Sequence, residues 1–556
     1  MAIRSWGRFV AVGVVALAAA AGTARAQVVT VTVKSAGDLL SQFRTLAKAG
    51  EPAQTRQILD GLEALENGGM LKWLDRTKPL AGTVDMPADG QAGPGAMPVS
   101  TMVLPVTSRD DFLDALKGFG FAVDDKPGAE GFSHKIARPG GEGPAYFLLA
   151  NPPAGYAVLN SVPTGAAKLR AVKPAALRPT RPGTVLVGLH IDRLPEPMKA
   201  MLLDGVKQRN DVSRQRKDGE TDEQYQGRLA GIALTEDGFT SLLRDGRELT
   251  LDADVAEKAD RFTLAMGIDA RPGSPMAASL GSFGTRRGRF LNLWRDAAVT
   301  LQGILPVPDS FRALIKKSIE QQRAKAEKEN PAEDSRLIGL MLDALSPTLT
   351  GDSFDACMAM GTQTGGTNIV LFGVGMKDSK KVEAALREAI TKKLKPEDRD
   401  KVALDHARGA DGTAIHRVTL DPKQLKKDEF GEPLMFLAFP EGAALAAVGG
   451  DGLAVVKQSL ETLKKPAPST GAAPVPQVGF DFSAVRFSRL HTGENEAAFR
   501  DAAGEVFQGK DAAKDRIHIG LTGASARARL LLEADLPVLR FLVKVGAIQQ
   551  KAKAAQ

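Results

Sequence analysis

Cysteine is almost absent from this chain of 556 residues: Cys357 is the only one, so no internal disulfide can form. Aromatic residues make up only 5%, which leaves the cores to aliphatic side chains. Neither sign of charge dominates, with 73 Lys and Arg against 66 Asp and Glu. The two signs are interleaved from end to end, whereas a nucleic-acid binder concentrates Lys and Arg beside aromatics on one face, so nucleic acid is excluded as a partner. No apolar run reaches the ~20 residues that span a bilayer as a helix. Glycine and proline are plentiful, at 57 and 32 residues, and imply many turn-rich connections. With 43% hydrophobic residues the composition is that of a soluble globular protein of roughly three domains or one large duplicated unit. Disordered, collagenous and polytopic membrane classes are excluded.

The N-terminus has the three parts of a secretory signal peptide. Arg4 and Arg8 form a positive region, Phe9 to Ala21 an uncharged apolar region, and Ala24-Arg25-Ala26 a small-x-small cleavage site. Cleavage after Ala26 leaves 70 basic against 66 acidic side chains, a net charge of +4, and places the protein in the periplasm or outside the cell. No Cys stands at the cleavage site to carry a lipid. Cys357 lies in the half-apolar stretch Phe354 to Met360 with no His or basic neighbour in sequence to lower its pKa, so it reads as a buried structural thiol.

The chain repeats itself. Pro144-Ala145-Tyr146-Phe147-Leu148-Leu149 corresponds to Pro433-Leu434-Met435-Phe436-Leu437-Ala438, and the register continues through Ala157-Val158-Leu159 against Ala446-Ala447-Val448 and Lys168 against Lys457. Beyond a Pro-rich linker in each copy, Val187 to Ile191 matches Val478 to Phe482. Each copy closes with a hairpin pattern and a Pro-led helix, at Pro275 and at Pro537. Alternation such as Ile517, Ile519, Leu521 predicts antiparallel strands with one buried face. The spacing Val382, Ala385, Leu386, Ala389 predicts a helix laid over them.

The predicted class is therefore α+β, with two tandem similar lobes, each a mainly antiparallel sheet covered by helices, behind an N-terminal helical hairpin. The limits are a signal peptide over 1–26, a strand and helical hairpin over 27–75, a first lobe over 76–305, a charged connecting helix over 306–335, a second lobe over 336–548 and a flexible tail over 549–556. Ser35 with Asp38 resembles a capping box opening the hairpin. Lys207 to Arg228 reads as an exposed insertion, and Met86 to Pro98, Lys173 to Gly183 and Lys465 to Pro476 as surface linkers.

Catalytic signatures fare poorly. Gly351-Asp352-Ser353 with Asp515-Arg516-Ile517-His518 is similar to the blocks of one serine esterase class, but His518 sits inside an alternating strand and Ser353 precedes one. The histidines His134, His190, His406, His416, His491 and His518 include no H-x-x-x-H or H-E-x-x-H pair. His134, His416 and His518 read as strand residues facing water or a polar neighbour. Asp252 and Asp254 lack the Gly and closing Glu of a calcium loop and read as the wet face of a strand. Gly449-Gly450-Asp451-Gly452 reads as a tight turn rather than a phosphate cradle, since the duplicate turn Asn160-Ser161-Val162-Pro163 has no glycine. No catalytic, cofactor-binding or metal-binding residue is nominated, and no cofactor is expected.

This layout resembles a family of bacterial secreted proteins of unknown function built from a duplicated α+β unit, over residues 58 to 545. The resemblance implies no activity. The reading expected from the residues is an exported, non-enzymatic scaffold or binding protein of the cell envelope or periplasm, whose partner is a protein, a lipid or an envelope component. The alternatives are an extracytoplasmic hydrolase of unrecognised type or a lipid carrier.

Overall fold

The structure, a computed structural model, describes residues 25–49, 52–69, 71–87, 98–138, 145–173, 181, 183–283, 288–290, 293–307, 309–362, 366–421, 423, 425, 427–464 and 476–555. The signal-peptide expectation and most of the three Pro-rich linkers lie outside the described residues. The chain divides into two compact units, residues 1–281 with 525–529, and residues 282–524 with 530–556. Both mix helices with antiparallel sheet, an α+β composition.

In the first unit, β1 (Arg25–Val33) leads into α1 (Ala36–Lys48), α2 (Pro52–Asn67), β2 (Leu80–Pro87) and β3 (Val99–Pro105). Helix α3 (Arg109–Gly118) precedes β4 (Ala122–Asp124), β5 (Phe132–Ala137), β6 (Tyr146–Leu149) and β7 (Tyr156–Asn160). The short α4 (Ala166–Arg170) leads to β8 (Val185–His190), and α5 (Glu196–Arg214) and α6 (Asp222–Asp245) to β9 (Gly246–Ala256), β10 (Arg261–Ala270) and α7 (Pro275–Phe283). The strands lie in the order β4-β5-β6-β7-β3-β2-β1-β8-β9-β10, every pairing antiparallel. Ser35 does open α1, accepting a hydrogen bond from Asp38 N–H at 2.9 Å, but its hydroxyl donates to the Asp38 carboxylate, so the reciprocal arm of a capping box is replaced by a side-chain bond.

The second unit runs β11 (Val299–Pro306), α8 (Asp309–Glu329), α9 (Ala332–Leu349), β12 (Ser353–Thr362), β13 (Asn368–Gly375) and α10 (Ser379–Lys393). It continues with β14 (Val402–Arg408), β15 (Ala414–Thr419), α11 (Lys427–Phe430), β16 (Leu434–Ala438), β17 (Ala443–Val448) and α12 (Gly452–Lys464). It ends with β18 (Val478–Ser483), α13 (Ala484–Phe487), α14 (Glu496–Val506), β19 (Arg516–Ala524), β20 (Arg527–Asp535) and α15 (Leu536–Ala555). Its strands follow the order β14-β15-β16-β17-β13-β12-β11-β18-β19-β20, the order of the first unit with each number raised by ten.

Three expected limits move. Strand β1 is hydrogen-bonded to both β2 and β8, so it and the helices after it are part of the first sheet rather than a leader before it. The charged helix α8 lies between the paired strands β11 and β12, where α1 and α2 lie between β1 and β2, and does not serve as a link between lobes. Helix α15 continues to Ala555 through the expected tail, because Gln, Lys and Ala are strong helix formers.

The largest core belongs to the second unit. There Phe290, Leu293 and Trp294, from the segment leading into β11, are buried with Val455, Val456 and Leu460 of α12 and with Cys357, Ala359, Ile369 and Leu371 of β12 and β13. Glycine makes the room: a Cβ on Gly361 would stand 2.8 Å from the Trp294 ring, and one on Gly373 2.9 Å from Phe290. We call residues 288–290 and 293–298 the plug.

Candidate functional site

Across the first sheet the registers line up one row of side chains on a single face: Asn160, Thr101, Thr83, Thr30, Gly188, Thr250 and Gly267, each directly opposite the next. β-Branched Thr suits a pleated strand, and here it gives the face a line of hydroxyls. Above Thr83 and Thr101 lies a pocket of about 600 Å³ between β2, β3 and α4. Asn160 braces the turn beside it. Fully buried, it accepts from the Thr101 hydroxyl at 3.2 Å and donates to the carbonyls of Val162 and Thr164 at 2.8 and 3.1 Å, which holds the turn into α4. Gly165 takes the left-handed conformation (φ 82°) at the start of that helix. Leu169 then packs on Val103 and Val158. At the rim stand Lys168 and Arg193, both exposed. Arg193 donates to the Gln27 carbonyl at 3.2 Å. Gln27 and the Asp85 carboxylate complete the lining, so the pocket, with its hydroxyl floor, aliphatic side and charges of both signs, is fitted to a polar group held by positioned hydrogen bonds.

The second unit offers a different surface. Phe372, Met358 and Leu301 lie side by side across β13, β12 and β11 and are 42%, 38% and 45% exposed. The row extends to the half-buried Phe480 and Ile519, and the exposed pair Leu305 and Phe354 lies beside it. One side of these strands is thus open and apolar while the other carries the plug.

The residues that the sequence brought forward fall as follows. Ser353 pairs with Pro306, and His518 with Asp481, which pairs with Thr300. Pro306 and Thr300 are six residues apart along β11, so Ser353 and His518 are separated by roughly 20 Å at the rise of a strand and form no catalytic pair. Cys357 is buried, and burial, with the Asp355 carboxylate second, pushes its thiol up to about 12, which removes it as a nucleophile. The Gly449 turn spends its amides on the chain: Gly449, Gly450 and Gly452 donate to the carbonyls of Leu434, Phe430 and Gly449, as a tight turn does. Asp252 is buried rather than wet, because its carboxylate is wedged against Gly183, and burial raises its pKa. Asp254 accepts from Gln42 and Thr184 at 2.8 and 2.9 Å. Among the described residues no three His, Cys, Asp or Glu come together as a metal site, and no helix is long and apolar enough to cross a membrane.

His416 is a strand residue of β15 with polar neighbours, as expected. It is buried, and its Nδ1 accepts a hydrogen bond from the Asp405 N–H at 3.1 Å, pinning an irregular step of β14 where Asp405 itself has φ 53°. Its Nε2 lies 3.3 Å from the Glu383 carboxylate, poorly aligned for a hydrogen bond. Burial, and then the Arg387 charge, hold its pKa below the ordinary 6.5 against the pull of Glu383 and Asp405. A protonated Nδ1 cannot accept the Asp405 bond. The unfolded chain therefore takes up this proton more readily than the folded one, and the stability carried by neutral His416 is lost as pH falls below 6.5. Calorimetry from about pH 7.5 to about pH 5.5 is expected to show a smaller fall in Tm for His416→Gln than for the wild-type chain; equal falls would refute it.

No protein-family model matches the chain, and no curated protein or solved structure is found similar to it.

Proposed function

We propose that the chain is an exported, non-enzymatic binding or scaffold protein of the bacterial cell envelope, built from two copies of one ten-strand unit, that engages a protein partner through the open face of its second sheet. The observation that carries the reading is the row Phe372, Met358 and Leu301, three large apolar side chains set next to each other in solvent. Isolated surface hydrophobes are ordinary, whereas a contiguous apolar patch marks an interaction surface. A twisted sheet face is also a poor fit for a single lipid tail, which needs an enclosed cavity, so a protein is favoured over a lipid cargo. The shared strand order of the two units supports the duplication, and the positive, apolar and small-x-small segments before Gln27 support export. The layout-level resemblance to bacterial secreted proteins is in keeping with both.

A photo-crosslinking amino acid at Met358, in the protein expressed in an envelope-bearing host, tests this directly. A discrete adduct of defined mass is expected at Met358 and absent at Val212, an exposed apolar position outside the row. Replacing Leu301 and Phe372 by Ser should abolish the adduct while leaving the far-UV spectrum unchanged. Equal labelling at both positions, or an adduct that survives the two substitutions, would overturn the reading.

A further inference from the structure

Helices cover the second sheet on either side of its apolar row. On the face that carries Phe372, Met358 and Leu301, Val382 and Leu386 of α10 lie over β16 and β17, and Phe499 of α14 and Phe541 of α15 lie over β18 and β19. Between them the large side chains of β13, β12 and β11 stay in solvent. The four strand intervals from β17 to β18 span about 19 Å, and helices layered side by side stand about 8–10 Å apart. The gap is one helix wide. Its floor has a notch: Leu301 lies opposite Met358 and Leu305 opposite Phe354, all 38–47% exposed, and between these two pairs stand only Gly303 and Ala356. No charged residue stands on this face of the three strands. Whatever settles here must present an uncharged stripe, since a lone charge buried against it would lose its water without compensation.

We propose that the partner engaged by this face docks one amphipathic helix of about three turns into the trough, its axis along the strands and one large apolar side chain seated over Gly303 and Ala356. This rests on the reading of the row as a protein-docking surface and adds which element the partner supplies. A helix here continues the layer formed by α10, α14 and α15 and meets its neighbours at the usual spacing. A second copy of the chain, offering the same sheet, is held off. Its flanking helices would meet these flanking helices before the two floors came within the ~10 Å at which sheets pack.

In the test, the photo-crosslinking amino acid is placed at Met358 in one preparation and at Phe354 in another, in the full chain expressed in an envelope-bearing host. Peptide mass spectrometry then locates the captured residues of the partner. The two positions are four residues apart on β12, about 13 Å at the rise of a strand. A helix covers that distance in about nine residues, an extended segment in about four. Captured sites roughly seven to eleven residues apart are expected, and this spacing needs no variant. Ala356→Leu fills the notch without adding charge. It should cut the yield at Met358 about tenfold, although it enlarges the apolar surface, and an unchanged Tm confirms its fold. No adduct at either position, or an adduct of lipid, would sink the docking reading itself and this inference with it. Captured sites about four residues apart, sites on a second copy of this chain, or a yield that Ala356→Leu leaves unchanged or raises would overturn the helix alone.

Discussion

Trp294→Ala is expected to destabilise the second unit by about 3–5 kcal/mol, the range for removing a buried aromatic ring. Trp294 is 3% exposed and shares its core with Phe290, Leu293, Val455, Val456 and Leu460. The wall opposite the ring is Gly361, which has no side chain to extend into the vacated space, so the cavity would persist. The cost should therefore fall toward the upper end of the range. The converse substitution gives a check of opposite geometry. Gly373→Val places a Cβ 2.8 Å from Cys357 Sγ and 2.9 Å from the Phe290 ring, and overpacking of that kind costs about 1–3 kcal/mol. Urea unfolding, followed by near-ultraviolet circular dichroism, measures both. A loss below about 1 kcal/mol for Trp294→Ala would mean that the plug is not part of the cooperative core.

Asn368→Leu should cost about 2–4 kcal/mol although it alters neither size nor strand register much. Asn368 is fully buried at the start of β13, where its amide donates to the His491 carbonyl at 2.7 Å and its oxygen accepts from the His491 N–H at 3.0 Å. One side chain thus imitates the paired bonds of a neighbouring strand where the chain places a loop. Leucine fills the volume and leaves a donor and an acceptor unanswered, which is the expensive way to lose a hydrogen bond. Asn368→Asp keeps the acceptor for the N–H but sets a negative oxygen against the carbonyl, and should be no better than leucine. The signature is local. Exchange of the His491 amide should accelerate well beyond that of amides in β13, and uniform exchange would argue against the clamp.

What could be read in advance was whatever lies within a few residues of itself. Ser35 marks the start of α1, the alternation Ile517, Ile519, Leu521 marks β19, and the apolar stretch around Cys357 already implied a buried thiol. The pocket was not legible. Its row of Thr30, Thr83 and Thr101 exists only through registers that join distant segments, and none of these residues carries a local motif. The plug was missed for a related reason: Phe290 and Trp294 belong to no regular element, so no periodicity announces them. Asp252 was expected on the wet face of a strand, but Gly183 closes over it; His416 was expected to face water or a polar neighbour, and the neighbour it faces is Glu383 on α10. Alternation shows which residues share a face and leaves open what covers that face.

Strand β1 is an interior strand of its sheet, with residues 29–33 held by residues 185–189 on one side and β2 on the other; β11 stands likewise between β12 and β18. A polypeptide synthesised from its N-terminus therefore delivers an interior strand of each sheet first and must wait for β8, and later β18, before that strand can be closed on both sides. Until then the β-branched run Val29 to Val33 has a free edge, which makes slow closure part of the architecture itself.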